Sequence, residues 1–133
     1  VRMDRHVENT RKLANYLNSH PFIEDIIYPG NPNSPYHSIM KKQMKAPGGM
    51  VSFKVKGGKC TAQEFMNRLK LIKIAVSLGD AETLIQHPAT MTHAVVPSDV
   101  RKSMGITDNM LRLSVGLEAI DDILEDIEQA LGN

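Results

Sequence analysis

Arg112 is the residue whose type and position most directly raise a question of binding chemistry. In NMLRLSVGLEAIDD, residues 109–122, apolar residues alternate with a second set, which is the period of a strand with two different faces. The apolar set is Leu111, Leu113 and Val115, and the second set is Met110, Arg112 and Ser114. Because a guanidinium keeps its proton and is rarely buried unpaired, the second face must offer Arg112 a partner or water.

The pattern allows two interpretations of Arg112. In the first, which the pattern alone favours, it is a solvated strand residue that pairs with a neighbouring carboxylate. In the second, it waits for an external anion, because a guanidinium binds a carboxylate through two parallel hydrogen bonds. Periodicity does not decide between the two.

The segment AVSLGDAETLIQHPATMTH, residues 75–93, is the second candidate site. Ser77 and Gly79 flank Leu78 at the predicted end of a strand, where free backbone N–H groups can meet a ligand, although most such turns are only turns. His87 and His93 follow, but no cysteine or carboxylate completes a metal set, so we interpret them as structural. A phosphate loop, a nucleophile elbow and a paired-carboxylate site are absent from the sequence.

Length and composition set only broad bounds. The 133 residues suit one domain, and 16 basic against 15 acidic residues do not indicate nucleic acid or an anionic membrane as a partner. The apolar runs are too short to span a bilayer. The single cysteine, Cys60, forms no internal disulfide and is compatible with a reducing cytoplasm, the location we predict.

The elements that position these residues alternate irregularly along the chain. Predicted strands are FIEDIIYPG, GGMVSFKVKGG, IKIAVSLGD and TLIQHP, and predicted short helices are HSIMKKQM, TAQEFMNRLKL and PSDVRKSMG. Thr61 and Glu64 have the spacing of a capping box, and Gly105 is predicted to end the last short helix. The mixture predicts an α+β domain: a small mixed or antiparallel sheet with helices packed on one face.

Longer helices are predicted at both ends. The first has an apolar stripe made of Met3, Val7, Leu13, Ala14, Tyr16 and Leu17. Its pattern is already running at Val1 with no capping residue, so we expect Val1–Ser19 to be the remnant of a helix cut from a longer chain. The last helix has Asp121 and Asp122 in its first turn and is predicted to end at Gly132.

Two segments carry a resemblance to a known family. VSLGDAETLIQHPATMTH and GITDNMLRLSVGLEAIDDILEDIEQAL resemble the C-terminal domain of the cysteine/methionine-metabolism enzymes that use pyridoxal phosphate, which include methionine γ-lyase, the cystathionine lyases and cystathionine γ-synthase. The opening RMDRHVENTRKLANYL resembles the helix that leads from the large domain to the small one. The resemblance implies that residues 1–133 form a single domain, the C-terminal small domain of a fold-type I pyridoxal-phosphate enzyme.

The resemblance also implies the site. Arg112 matches the arginine that grips the α-carboxylate of the amino-acid substrate, and Ser77 matches a serine that helps to hold it. Val76 and Leu78 complete the predicted substrate-binding set. Clamping the carboxylate would fix which Cα bond stands perpendicular to the cofactor ring. No catalytic, cofactor-binding or metal-binding residue is predicted in this chain, and the face of Met110, Arg112 and Ser114 is expected to be partly exposed.

The implied cofactor is pyridoxal 5'-phosphate, held by a large domain that this chain lacks. None of the lysines lies in the family's cofactor-lysine motif, so the chain alone is expected to be inactive, a folding or assembly domain. The full-length protein is implied to be a carbon–sulfur lyase and a homotetramer that acts on an amino acid, whereas the isolated chain is expected to be monomeric or weakly associated.

The residue before Ser77 bears on the substrate. Val76 and GDAETLIQHPA resemble the methionine γ-lyases, since the cystathionine enzymes often carry an acidic residue at the position of Val76. This implies γ-elimination of L-methionine to methanethiol, 2-oxobutanoate and ammonia. Cystathionine γ-lyase or γ-synthase activity is the alternative.

Overall fold

The computed structural model describes residues 1–132 as ten helices and strands. The helices are α1 (Arg2–Ser19), α2 (His37–Gln43), α3 (Lys59–Arg68), α4 (Ser98–Ser103) and α5 (Ile120–Ala130). The strands are β1 (Ile23–Ile27), β2 (Met50–Val55), β3 (Lys73–Ile74), β4 (Leu84–Gln86) and β5 (Met110–Ser114). In the described chain, no helix combines the length and the apolar character that crossing a membrane requires.

The strands form one sheet in which β5 is central. Their order is β1-β2-β5-β4-β3, and neighbouring strands are antiparallel except for β3 and β4, which are parallel. Arg112 on β5 lies opposite Ser52 on β2 and opposite Gln86 on β4. Because residues directly opposite one another point to the same side of a sheet, these three side chains share one face. The predicted mixed sheet is confirmed.

The core lies on the other face of the sheet. Leu111, Leu113 and Val115 are buried there under the layer formed by α1, α3 and α5. Phe53 of β2 meets Phe65 of α3 edge to face, with ring centroids 6.0 Å apart. Each such buried side chain contributes about 1.5–3 kcal/mol, and a slip of one residue would turn all of them outward, so the register that leaves Arg112 on the opposite face is strongly fixed.

Three local predictions are wrong. The predicted capping box of Thr61 does not form, because the turn at Gly57, with φ of +116°, lets α3 begin at Lys59, and its N-cap Gly58 makes no side-chain bond. Met3 is 57% exposed, since the first turn of α1 faces a surface cavity and not the core. The predicted strand IKIAVSLGD is reduced to β3, and the residues after it form a loop.

The predicted boundaries of helices α4 and α5 agree better with the structure. Asp121 and Asp122 lie in the first turn of α5, and Gly132 follows the helix with φ of +93°. Gly105, with φ of +82°, likewise follows α4. A positive φ is costly for other residues, so glycine at these positions stops each helix where the sequence predicts.

Candidate functional site

The guanidinium of Arg112 lies against the side-chain amide of Gln86. The amide presents its oxygen to Arg112, because the opposite orientation would set its NH2 group against the guanidinium donors. The oxygen lies 2.8 Å from Nε, 2.5 Å from Nη2 and 3.0 Å from Nη1. Gln86 itself is only 1% exposed, so it is a fixed support for a partly exposed cation.

These distances indicate how the guanidinium is presented. An oxygen this close to all three nitrogens lies over the guanidinium plane, because the nitrogens surround one carbon at 120°. The N–H bonds point outward within that plane, which leaves their edges open to a planar anion. Gln86 therefore supports Arg112 without occupying the positions that a carboxylate would take.

Arg112 has no carboxylate partner within residues 1–132. The ion pairs of this part of the chain join other residues, and the two residues opposite Arg112 in the sheet are a serine and a glutamine. The interpretation of Arg112 as half of a surface ion pair is therefore wrong for the described chain. Arg112 is thus a partly exposed cation without a carboxylate partner in this part of the chain.

The face of β5 that carries Arg112 is only partly as predicted. Met110 and Arg112 are partly exposed, as expected, but Ser114 is buried, with 3% of its surface exposed. The reason is the loop after β3, which crosses this end of the strand. The backbone N–H of Gly79 donates to Ser114 Oγ at 2.8 Å.

That loop contains the other three predicted site residues. Val76 and Leu78 are 62% and 57% exposed, and Ser77 is also exposed. The side chain of Ser77 makes no hydrogen bond within the described part of the chain, so nothing there ties it to Arg112 directly. The structure thus brings the loop to Ser114, two residues from Arg112, and leaves the Ser77 hydroxyl available.

Surface cavities flank Arg112 along β5. Ser114 lines a cavity of about 290 Å³ together with Arg2, His6, Leu78 and Gly79. Met110 lines a larger cleft of about 560 Å³ at the other end of the strand. Neither cavity is lined by Arg112 or Ser77, so cavity size does not identify the candidate site.

Polar side chains that sequence reasoning missed join the residue before β4 to the residues that follow β5. Glu118 accepts from the backbone N–H of Thr83 at 2.7 Å and from its hydroxyl at 2.7 Å. The Thr83 hydroxyl also accepts from the backbone N–H of Gly116 at 2.9 Å. A side chain at Gly116 would collide with the carbonyl of Ala81, so the close approach requires glycine. These contacts set the register that places Gln86 beside Arg112.

The two histidines of the second candidate segment have local partners. His87 is buried, with Nδ1 2.7 Å from the Thr90 hydroxyl and Nε2 2.6 Å from the carbonyl of Asp108. His93 Nδ1 lies 2.8 Å from the Thr92 hydroxyl. Both ring nitrogens of His87 are thus used within the fold, which fits its interpretation as structural.

Sequence and structure comparisons relate the chain to known enzymes. The sequence model of the family described as Cys/Met metabolism PLP-dependent enzyme matches residues 1–132. An L-methionine gamma-lyase of Fusobacterium nucleatum subsp. polymorphum is 53% identical over 131 residues, which are 98% of this chain and 33% of that protein. A cystathionine gamma-lyase of Dictyostelium discoideum is 50% identical over 98% of this chain and 34% of its own.

A solved structure gives the same result for the fold. The crystal structure of cystathionine gamma-lyase from Lactobacillus plantarum complexed with L-serine matches with a TM-score of 0.90 and 44% identity, over 97% of this chain and 34% of that one. The chain therefore spans about a third of the length of these relatives. The family match along residues 1–132 and the identity of about half to several relatives show that this chain belongs to the PLP-dependent enzymes of cysteine and methionine metabolism.

Proposed function

We propose that this chain is the domain of a carbon–sulfur lyase that binds the α-carboxylate of the amino-acid substrate, and that Arg112 is the binding group. The observation that carries the proposal is the Arg112–Gln86 contact: a partly exposed guanidinium, supported by a buried amide and without a carboxylate partner in residues 1–132. A guanidinium presented in this way binds a carboxylate through two parallel hydrogen bonds. Ser77, whose hydroxyl is available on the neighbouring loop, is proposed to bind the same carboxylate.

The proposed role of this clamp is orientation. Two hydrogen bonds from Arg112 and one from Ser77 would hold the carboxylate in one plane, and the Cα–H bond would then point in a fixed direction. Val76 and Leu78 would offer apolar surface to the rest of the substrate. That surface favours an unbranched thioether over a charged distal group, so we propose L-methionine as the substrate and methanethiol, 2-oxobutanoate and ammonia as the products.

Membership of the family implies pyridoxal 5'-phosphate as the cofactor, which acts as an electron sink when it is bound. The residues around Arg112 do not fit it. The cofactor needs an amine to hold its aldehyde, and the residues opposite Arg112 are Ser52 and Gln86. We therefore propose that residues outside this chain bind the cofactor, and that the chain alone is inactive. A homotetrameric full-length protein and a cytoplasmic location are part of the same proposal, and the exposed thiol of Cys60 fits a reducing compartment.

The test is Arg112→Ala in the full-length protein that contains this chain, assayed by methionine-dependent release of 2-oxobutanoate. Loss of a charge-assisted contact that the bound substrate would shield from water costs about 2–5 kcal/mol, so kcat/KM should fall roughly 30-fold to several thousand-fold. Arg112→Lys should recover only part of it, because a point charge does not reproduce the fork. Cofactor absorbance should be unchanged in both variants.

The control is Arg68→Ala, which removes an exposed arginine that only pairs with Glu64 at 3.8 Å. It should leave kcat/KM within about twofold of the parent, as is usual for surface ion pairs. Near-normal kcat/KM in folded Arg112→Ala would overturn the proposal. The same assay with cystathionine tests the substrate, since a higher kcat/KM for cystathionine than for methionine would favour the activity named for the relative of Dictyostelium discoideum.

A further inference from the structure

The peptide of Gly79 is held on both of its polar sides. Its N–H donates to Ser114 Oγ at 2.8 Å, and its carbonyl accepts from Arg2 Nη2 at 2.7 Å. Gly79 has φ of +76°, and a Cβ there would meet no atom within 4 Å. The conformation of this residue is therefore set by backbone geometry and these two bonds, not by packing.

The two side chains that hold Gly79 belong to one ring of hydrogen bonds. Arg2 Nε donates to His6 Nε2 at 3.3 Å, and His6 Nδ1 lies 2.6 Å from the carbonyl of Val115, the residue after Ser114. Because a carbonyl only accepts, Nδ1 carries the proton and Nε2 is free to accept from Arg2. The ring ties the first turn of α1, the loop and the end of β5 together, and both His6 and Ser114 are buried.

The rest of the loop has anchors only at its ends. Ala75 N–H donates to the carbonyl of Ile85 at 3.1 Å, and the carbonyl of Ala81 accepts from Leu117 N–H at 2.8 Å. Between these points residues 76–80 are exposed, and within the described chain the side chains of residues 76–78 make no hydrogen bond. The two bonds to Gly79 are therefore what fixes the middle of the loop, two residues after Ser77.

We propose that Arg2 and Ser114 are positioning residues that hold Gly79 and thereby set the place of Ser77 relative to Arg112. The inference rests on the proposed function, in which Ser77 and Arg112 bind one carboxylate. Ser114 follows Arg112 by two residues on the same face of β5. A hydrogen bond to Ser114 therefore fixes the position of the loop relative to the strand that carries the guanidinium. Substrate binding then depends on a residue of α1 that does not touch the substrate.

The test compares Ser114→Ala and Arg2→Ala in the full-length, cofactor-loaded protein. Each removes one bond to Gly79, so exchange of the Gly79 amide, the one N–H of residues 76–80 that has an acceptor in the described chain, should quicken by about 3- to 15-fold, the range expected for one lost hydrogen bond. KM for methionine should rise by a similar factor of about 3- to 15-fold, with kcat changed less. Ser114→Thr and Arg2→Lys keep a donor or acceptor and should restore part of both values. Arg5→Ala, an exposed arginine of the same helix whose contact with Glu8 is 4.0 Å, is the matched control.

The outcomes separate this inference from the proposed function. Unchanged exchange in both variants, or faster exchange with an unchanged KM, would overturn the role of Arg2 and Ser114. If Arg112→Ala lowers kcat/KM while these variants keep the parent KM, only the positioning inference fails. If Arg112→Ala has no effect, the proposed function fails whatever the exchange rates show.

Discussion

Replacement of Gln86 tests whether the support of Arg112 matters as much as Arg112 itself. Gln86 is 1% exposed, and its oxygen lies within 3.0 Å of each guanidinium nitrogen. Gln86→Leu keeps a similar volume but removes the oxygen. The oxygen lies over the guanidinium plane and accepts no N–H along its bond, so the contact contributes no more than about 1.5 kcal/mol, and kcat/KM for methionine should fall by up to roughly 10-fold.

Gln86→Glu is the sharper variant because it keeps the shape and adds a charge. A carboxylate at this place would lie over the guanidinium plane of Arg112, about 5–6 Å from a substrate carboxylate bound at the guanidinium edge. At an effective dielectric constant of about 20 the repulsion is about 3 kcal/mol, which corresponds to roughly 100-fold weaker binding. The loss should fall mainly on KM, since the carboxylate is held in the ground state and the transition state alike.

The assay is 2-oxobutanoate release over a range of methionine concentrations, with circular dichroism and thermal unfolding as checks of the fold. Gln63→Glu, on the exposed side of α3, adds the same charge elsewhere and should leave KM within about twofold. A folded Gln86→Glu protein with the parent KM would refute the reasoning. It would mean that the substrate carboxylate does not bind at Arg112.

Two predictions concern stability. Asp126 is buried and accepts from the backbone N–H groups of residues 70, 71 and 72 at 2.8–2.9 Å, so Asp126→Ala should lower the free energy of unfolding by about 3–5 kcal/mol in urea titrations. Asp122→Ala, at an exposed position of the same helix, should lower it by less than about 1 kcal/mol. Equal losses in the two variants would contradict this account. The Glu128 carboxylate lies 3.2 Å from His20 Nε2 and favours the charged form, but burial outweighs it and lowers the pKa of His20 below its usual value. The unfolded chain then binds the proton more readily, so stability should fall as the pH drops below about 6.5 and reach a plateau below the folded pKa. The Phe22 N–H donates to His20 Nδ1 at 3.2 Å and loses this acceptor when the imidazole is protonated. The difference in unfolding midpoint between pH 5 and pH 7.5 should therefore be smaller in His20→Asn than in the parent. An unchanged difference would assign the pH dependence to other groups.

Strand β5 was predictable because its period of two is enforced by burial. Leu111, Leu113 and Val115 could be buried together only on one face of the sheet, and this alone placed Arg112 on the other face. The helix ends at Gly105 and Gly132 were predictable for a similar reason, since a local backbone conformation demands the residue type. In each case the residues of one short segment determine its local structure.

The supports of the site were not predictable because their causes lie far apart in the chain. Gln86 meets Arg112 only after β4 and β5 have paired, and Glu118 meets Thr83 only after the chain has returned through α4. Asp126 occurs in a helix whose pattern fits solvent-facing acidic residues equally well, although its side chain accepts from three backbone N–H groups before β3. Strand pairing creates these neighbours, and a periodic pattern carries no information about them.

The same distinction explains why the Ser77 loop differs from its predicted strand. The apolar residues of AVSL suit a strand, but the sheet partner β4 is only three residues long, and the parallel pairing ends at Ile74. Beyond that point the backbone groups find partners one by one, in Ile85, Ser114, Arg2 and Leu117. A strand continued through Ser77 would have pointed alternate residues to opposite faces of the sheet. The loop instead leaves Val76, Ser77 and Leu78 all exposed on one short segment, which the proposed binding of a single substrate by a hydroxyl and apolar side chains requires.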